Sequence, residues 1–178
     1  MAQRVIFLDR DGTINVDHGY VHTVEKWEWT PGAQQALKQL QTDGYALAVV
    51  TNQSAIADGQ YTEEQMHELH DFMHQELKKE GITFACVAYC PHGRDQKDCI
   101  CRKPGIGMAQ QIEKAIGEID YANSWTIGDK LSDIGFGKNT GTKTALIRSG
   151  YWQEDNLEYQ PDLIVESLAE AATMITKS

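Results

Sequence analysis

The sequence predicts an α/β protein: a three-layer sandwich with a mostly parallel central sheet and helices on both faces. Three observations predict it. Short apolar runs rich in β-branched residues alternate with longer stretches of helical periodicity. The runs are apolar at successive positions rather than alternate ones, so both of their faces are buried, as in parallel sheets. The 178 residues are 41% apolar and 24% charged, a globular composition in a chain long enough for one core. No repeat, low-complexity tract or linker divides residues 1–178, and a single domain is expected.

Val5 to Leu8 make the first strand, four apolar residues ended by Asp9. Pro31-Gly32 punctuates the chain. Ala33, Ala36, Leu37 and Leu40 then recur at helical spacing until Gly44 stops the helix. Residues 45–51, YALAVVT, read as the second buried strand. Thr62 and Gln65 form a capping-box pattern, and Met66, Leu69, Met73 and Leu77 stack behind it up to Gly81. Residues 84–89, FACVAY, give a third strand with Cys86 buried in it. Met108, Ile112, Ala115 and Ile116 line the next helix. Residues 124–129, SWTIGD, are the fourth strand, before a short helix expected to break at Gly135, Gly137 and Gly141. Residues 144–148, TALIR, are the fifth. Residues 162–167, DLIVES, make a short edge strand, and a last helix carries Leu168, Ala171, Ala172 and Ile175.

Ligands of such sheets bind beyond the carboxyl ends of the strands. Asp9, Thr51, Cys90 and Asp129 each end a predicted strand, so four polar residues far apart in sequence converge on one edge. The net charge of −10 argues against a nucleic-acid partner, whose contact surface is usually basic. No apolar run approaches a secretory h-region or a membrane span. A cytoplasmic monomer with no membrane partner is expected. In that compartment disulfides are rare, so Cys86, Cys90, Cys99 and Cys101 need another explanation.

Asp9 and Asp11 stand one residue apart, and Asp129 and Asp133 arrive from a later strand. An isolated Asp-x-Asp is often a turn or an Asx cap. Several carboxylates around one point repel unless a divalent cation lies among them, and oxygen-only ligation suits Mg²⁺. One carboxylate can then attack phosphorus while the second handles protons. Thr51, Lys103 and Lys130 are placed to donate to phosphoryl oxygens.

CPHGRDQKDCIC, residues 90–101, sets Cys90 and His92 against Cys99 and Cys101. Three thiolates and an imidazole are a structural zinc set; a redox pair and scattered buried thiols are the alternatives. Pro91, Gly93 and several charges among them argue against core filler. A zinc loop over about residues 90–103, inserted after the third strand, would fix Arg102 and Lys103 at the rim. The Arg102 fork suits a second anionic group.

DRDGT, VVTN, CRKP and IGDKLSD, in that order, resemble the four motifs of the haloacid dehalogenase superfamily phosphatases over most of the chain. The resemblance implies a Rossmann-like core, catalytic Mg²⁺ and an aspartyl-phosphate intermediate. It makes Asp9 the nucleophile and Asp11 the general acid/base. Asp9, Asp11 and Asp129 become the Mg²⁺ ligands, Asp133 the supporting carboxylate, and Thr51 and Lys103 the phosphate-stabilising pair. Within the superfamily, DGTINVDHGYVH, TNQS and CRKP resemble the heptose bisphosphate and histidinol-phosphate phosphatases, which share the zinc loop. The implied substrate is a small phosphorylated sugar. Its contacts would fall on Asp17, His18, Gly19, Tyr20, Thr51, Asn52, Gln53, Ser54, Arg102, Lys103 and Lys130. Two positions depart from that pattern: Ala55 stands for a glycine and Asp58 for an arginine. The spacer from His92 to Cys99 is also short. About twenty residues between Thr13 and Gly32 allow a flap but no large cap domain, with Trp27 and Trp29 packing it on the core.

Overall fold

Every strand pairing in the central sheet is parallel. The computed structural model describes residues 1–177, and at Asn156 the backbone only. The strands are β1 (Val5–Leu8), β2 (Ala46–Asn52), β3 (Phe84–Cys90), β4 (Trp125–Gly128), β5 (Lys143–Ile147) and β6 (Leu163–Val165), in the order β3-β2-β1-β4-β5-β6. The helices are α1 (Ala33–Thr42), α2 (Glu63–Lys79), α3 (Gly107–Ile116), α4 (Leu131–Thr140) and α5 (Leu168–Thr176).

Period-two geometry divides the apolar strands between two cores. Ile6 and Leu8 face a cluster with Leu37 and Leu40 of α1, Met73 and Leu77 of α2, and Ala171 and Ile175 of α5. Val5 and Phe7 face the opposite cluster, with Met108 and Ile112 of α3 and Phe136 of α4. Each fully buried Leu, Ile or Phe contributes roughly 1.5–3 kcal/mol against leaving it exposed. The capping box forms as expected: Gln65 N donates to Thr62 Oγ1 at 3.2 Å, and Thr62 N to Gln65 Oε1 at 2.9 Å.

Three local expectations change. α4 does not break at Gly135 or Gly137; it runs through both and ends at Gly141, whose φ is 85°. A side chain at 135 would strike the Tyr159 ring and Pro104, and one at 137 would strike Thr144 and Thr126. These glycines let α4 approach its neighbours closely, at roughly 1 kcal/mol each in helix propensity. Cys86 is only half-buried, because β3 lies at the sheet edge rather than inside it. Thr51 does not end β2, which continues through Asn52.

Residues 14–30 form the flap. Its two arms meet through Val16 N to Glu28 O at 2.8 Å and Thr30 N to Ile14 O at 3.0 Å. Trp27 and Trp29, edge-to-face at 5.1 Å, pack it on the α1 core, and the described residues form no large cap. Among the described residues no helix is long and apolar enough to cross a membrane. From β1 the chain winds out to β2 and β3, then returns to the other side of β1 as β4. That reversal opens a crevice between β1 and β4 at their carboxyl ends.

Candidate active site

Asp9 leaves β1 at this crevice, its amide donating to Ile127 O of β4 at 3.0 Å. Asp129 follows β4 directly, and Asp133 sits in the first turn of α4. Carboxylate oxygens of Asp9, Asp129 and Asp133 lie within 4.8 Å of one another, and all three residues are buried. Gly12 makes the approach possible. Its φ is 87°, and a Cβ there would overlap the Asp129 carboxylate.

One cation threads this group. Lys103 Nζ donates to Asp9 Oδ1 at 2.8 Å and to the Val50 carbonyl at 2.6 Å, and pairs with Asp133 Oδ1 at 2.6 Å. Three acceptors match the three protons of an ammonium. Burial pushes Lys103 down, but Asp133 and Asp9 outweigh it and hold it above its ordinary value. Asn52 fixes the Lys103 main chain: its Oδ1 accepts from Lys103 N at 3.0 Å, and its Nδ2 donates to Lys103 O at 3.3 Å. Asp133 also accepts from Lys130 N at 3.0 Å, capping α4. Asp129 is the exception. Its Oδ1 is buried without a hydrogen-bond partner, and burial, then the charges of Asp9 and Asp133, push its carboxyl up to about 9. A buried acceptor left open between two anions is the chemistry of a cation site.

Asp11 is not part of this carboxylate group. Its Oδ1 accepts from Arg10 Nη2 and from Asn15 Nδ2, each at 3.0 Å, and its Oδ2 from Gln53 Nε2 at 2.9 Å. Burial works to raise Asp11, but Arg10, Asn15 and Gln53 outweigh it and leave it below the usual carboxylate range. Arg10 is itself fully buried and reaches Val21 O at 2.6 Å and His70 Nε2 at 3.2 Å. Burial, then Arg10, pushes His70 down to about 3, so the imidazole is neutral and accepts from the guanidinium. Gln53 is oriented in turn by Tyr61, whose hydroxyl donates to its Oε1.

The four predicted metal-binding groups at residues 90–101 do converge. His92 Nδ1 lies 3.1 Å from Cys99 Sγ and 3.2 Å from Cys101 Sγ; Cys90 Sγ lies 3.4 Å from Cys99 Sγ and 3.6 Å from His92 Nδ1. A tetrahedral zinc with bonds of about 2.0–2.3 Å needs ligand separations of about 3.3–3.8 Å. Burial raises Cys99, yet hydrogen bonds from Cys101 and the Arg102 amide outweigh it and bring the thiol to about 6.

Two spaces that share lining residues open on the carboxylates and on Asp11. A small one, about 40 Å³, is walled by Asp9, Asp11, Lys103, Ser132 and Asp133. Above it a cavity of about 260 Å³ shares Asp11, Asn52 and Lys130. A larger hollow of about 440 Å³, beside Gln34, Lys38 and Glu80, is lined by no comparable cluster.

Comparison with known proteins decides what the arrangement is. The HAD-hydrolase-like family model matches residues 100–171. The chain is 42% identical to the D-glycero-beta-D-manno-heptose-1,7-bisphosphate 7-phosphatase of Haemophilus ducreyi, over 96% of this chain and 97% of that one. It is 41% identical to the enzyme of that name from Escherichia coli strain K12, over 99% and 97%. The chain belongs to the heptose bisphosphate phosphatase family. It is thus a phosphoric monoester hydrolase of the haloacid dehalogenase superfamily. The D,D-heptose 1,7-bisphosphate phosphatase of B. bronchiseptica, solved with magnesium and phosphate, superimposes with a TM-score of 0.88 over 98% of this phosphatase, at 30% identity.

Of the residues anticipated as substrate contacts, Asp17, Gly19, Tyr20, Asn52, Gln53, Ser54 and Lys130 line the larger cavity of this phosphatase. Tyr20 does so in the left-handed region, at φ 51°, where a tyrosine is strained. Thr51 is buried beneath Gln53, its Oγ1 accepting from Gln53 Nε2 at 2.7 Å. His18 turns outward to Glu28 at 2.6 Å and does not line the cavity. Nor does Arg102, whose Nη1 is buried without a partner. Arg94, Tyr61 and Tyr151 line the cavity unforeseen. Arg94 sits two residues after His92 in the cysteine loop. Tyr151 follows β5, a strand end on the same edge as Asp9 and Asp129, so its position was recoverable from the topology.

Proposed function

We propose that this phosphatase removes the 7-phosphate of D-glycero-β-D-manno-heptose 1,7-bisphosphate, leaving the 1-phosphate, on the way to a lipopolysaccharide core precursor. One observation carries the proposal: Asp9 and Lys103 line a small polar space of about 40 Å³ that shares Asp11, Asn52 and Lys130 with a wider cavity carrying both acceptors and cations. Relatives at about 41% identity bearing that enzyme's name support it.

The steps follow from the residues. Asp9 attacks phosphorus in line while Asp11 protonates the departing sugar oxygen. Asp11, now ionised, takes a proton from water, and the hydroxide cleaves the phospho-aspartate, restoring Asp9 and releasing phosphate. The lowered pKa of Asp11 suits the second step. An incoming phosphate dianion raises it again for the first. Thr51 and Lys103 steady the phosphoryl oxygens, Asp133 holds Lys103, and Lys130 spans the two spaces. Asp9 and Asp129, with Asp11 beside them, would hold Mg²⁺, which when bound offsets the negative charge of the carboxylates and the phosphoryl group. The decisive experiment compares kcat/KM with Mg²⁺ on the heptose bisphosphate, fructose bisphosphate and histidinol phosphate. Preference for either of the last two overturns the assignment.

The open acceptor on Asp129 gives the proposed Mg²⁺ site a signature independent of turnover. With a folded pKa of about 9 against an ordinary 3.8, Asp129 keeps a proton in the metal-free fold that the unfolded chain releases. Its stabilisation is complete below about pH 4 and drains away as pH rises towards 9. The metal-free Tm is therefore expected to fall from pH 5 to pH 9, and added Mg²⁺ to flatten that slope. Identical slopes with and without Mg²⁺ would sink the site.

Cys90, His92, Cys99 and Cys101 would hold a structural Zn²⁺ that orders the loop leading to Lys103. Metal analysis of the purified chain is expected to return one zinc per chain. Stripping it with a strong chelator should lower the Tm and expose additional titratable thiols without any oxidant. Zinc-free protein whose thiols respond to oxidant alone would mean a redox pair instead.

A further inference from the structure

Tyr151 is 61% exposed, yet its polar end and its face are both engaged at the cavity. Its hydroxyl donates to Asp17 Oδ2 at 3.0 Å. Its ring lies 4.5 Å, to the centroid, from Lys130 Nζ. Lys130 in turn stands 3.6 Å from Asp17 Oδ2 and 3.8 Å from Asp129 Oδ1. The loop carrying Tyr151 is moored at its other end, where Ser149 Oγ donates to Asp129 O at 2.7 Å and accepts from Tyr151 N at 3.3 Å. A strap from the end of β5 thus ties the loop after β1 to the loop after β4.

We propose that Tyr151 is a specificity-determining positioning residue: it fixes the Asp17 carboxylate and the Lys130 ammonium so that they read the sugar portion of the substrate. The proposal rests on the sugar bisphosphate assignment above. Asp17 Oδ1 is already held by Gly19 N at 3.0 Å. With Oδ2 held by Tyr151, the carboxylate plane is set, and the remaining lone pairs are free for a sugar hydroxyl. Without the phenol, Asp17 Oδ2 is left to Lys130 alone, already 3.6 Å away, and the carboxylate plane is free to turn towards it. The tyrosine ring also confines Lys130 by cation–π attraction, keeping its charge between the two spaces rather than in solvent. Tyr20, also exposed, lines the same cavity, which thus carries two exposed aromatic rings bearing hydroxyls.

A double-mutant cycle on the full chain with Mg²⁺ tests this. The variants are Tyr151→Phe, Asp17→Asn and both together, on the heptose bisphosphate and on p-nitrophenyl phosphate. Tyr151→Phe should raise KM for the bisphosphate by about fivefold, the worth of one hydrogen bond, with kcat changed by less than about twofold. In the Asp17→Asn background the same change should have no further effect. A KM unmoved by Tyr151→Phe, an effect equal on both esters, or an effect undiminished by Asp17→Asn overturns the proposal. If the wild type leaves the heptose bisphosphate intact but hydrolyses p-nitrophenyl phosphate, the substrate assignment falls and takes this proposal with it. Turnover with an additive cycle removes this proposal alone.

Discussion

Asp9→Asn is expected to reduce kcat roughly 10⁴-fold or more, the scale of losing a covalent nucleophile, while the chain stays folded. An amide neither attacks phosphorus nor accepts the phosphoryl group. The stability expectation is less obvious. Asp9 is one of three buried carboxylates crowded within 4.8 Å, and its charge helps raise Asp129. Removing that charge relieves repulsion but costs Lys103 an ionic partner at 2.8 Å. These terms oppose each other, so the metal-free Tm should move little. The stabilisation by Mg²⁺ should nearly vanish, because a ligand of the proposed site is gone. Acid-quenched wild-type enzyme should carry labelled phosphate on protein, and the variant should carry none. Retained turnover would eliminate the covalent route, and a collapsed fold would show that Asp9 is chiefly structural.

Lys103→Met has the other large expected effect, on both stability and rate. The methionine fills most of the lysine volume but leaves Asp9 and Asp133 facing each other without a cation. Removing one member of a buried ion group costs about 3–5 kcal/mol, a large part of a typical folding free energy. Urea unfolding without Mg²⁺ should show the loss as a lower midpoint at unchanged m-value. Mg²⁺ should recover more stability in the variant than in the wild type. Catalysis should fall by about 10²–10³-fold even when saturated with Mg²⁺, since a donor aimed at the phosphoryl oxygens is lost. Lys103→Arg should not restore it. A planar fork cannot reach Asp9, Asp133 and the Val50 carbonyl from one point. An unchanged urea midpoint in Lys103→Met would show that these carboxylates need no internal counter-charge.

How much of this was legible in the sequence depends on distance from a strand end. Asp9 and Asp129 directly follow buried strands whose pairing the apolar runs specify, so their convergence followed from topology. Asp133 lies five residues past β4 and Lys103 thirteen past β3, and the structure brings both to the same edge. Side chains positioned by other side chains were not legible. The side chains that hold the Asp11 carboxylate, Arg10, Asn15 and Gln53, were not foreseen, and no local pattern announces a buried arginine at position 10. Arg102 was chosen for its fork, suited to a second anion at the end of the cysteine loop; Arg94, earlier in the same loop, lines the cavity and Arg102 does not. At Gly135 and Gly137 the helix-breaking tendency was weighed, but the close approach of α4 to Thr126 and Thr144 decided the outcome.

The reversal of winding between β1 and β4 has a consequence for synthesis on the ribosome. The two halves of the reactive centre, around residues 9 and 129, lie 120 residues apart in the chain and meet only when β4 docks beside β1. A nascent chain with its first three strands paired lacks Asp129 and is therefore expected to leave phosphate esters uncleaved. The onset of hydrolysis during refolding is a clock for that single docking event.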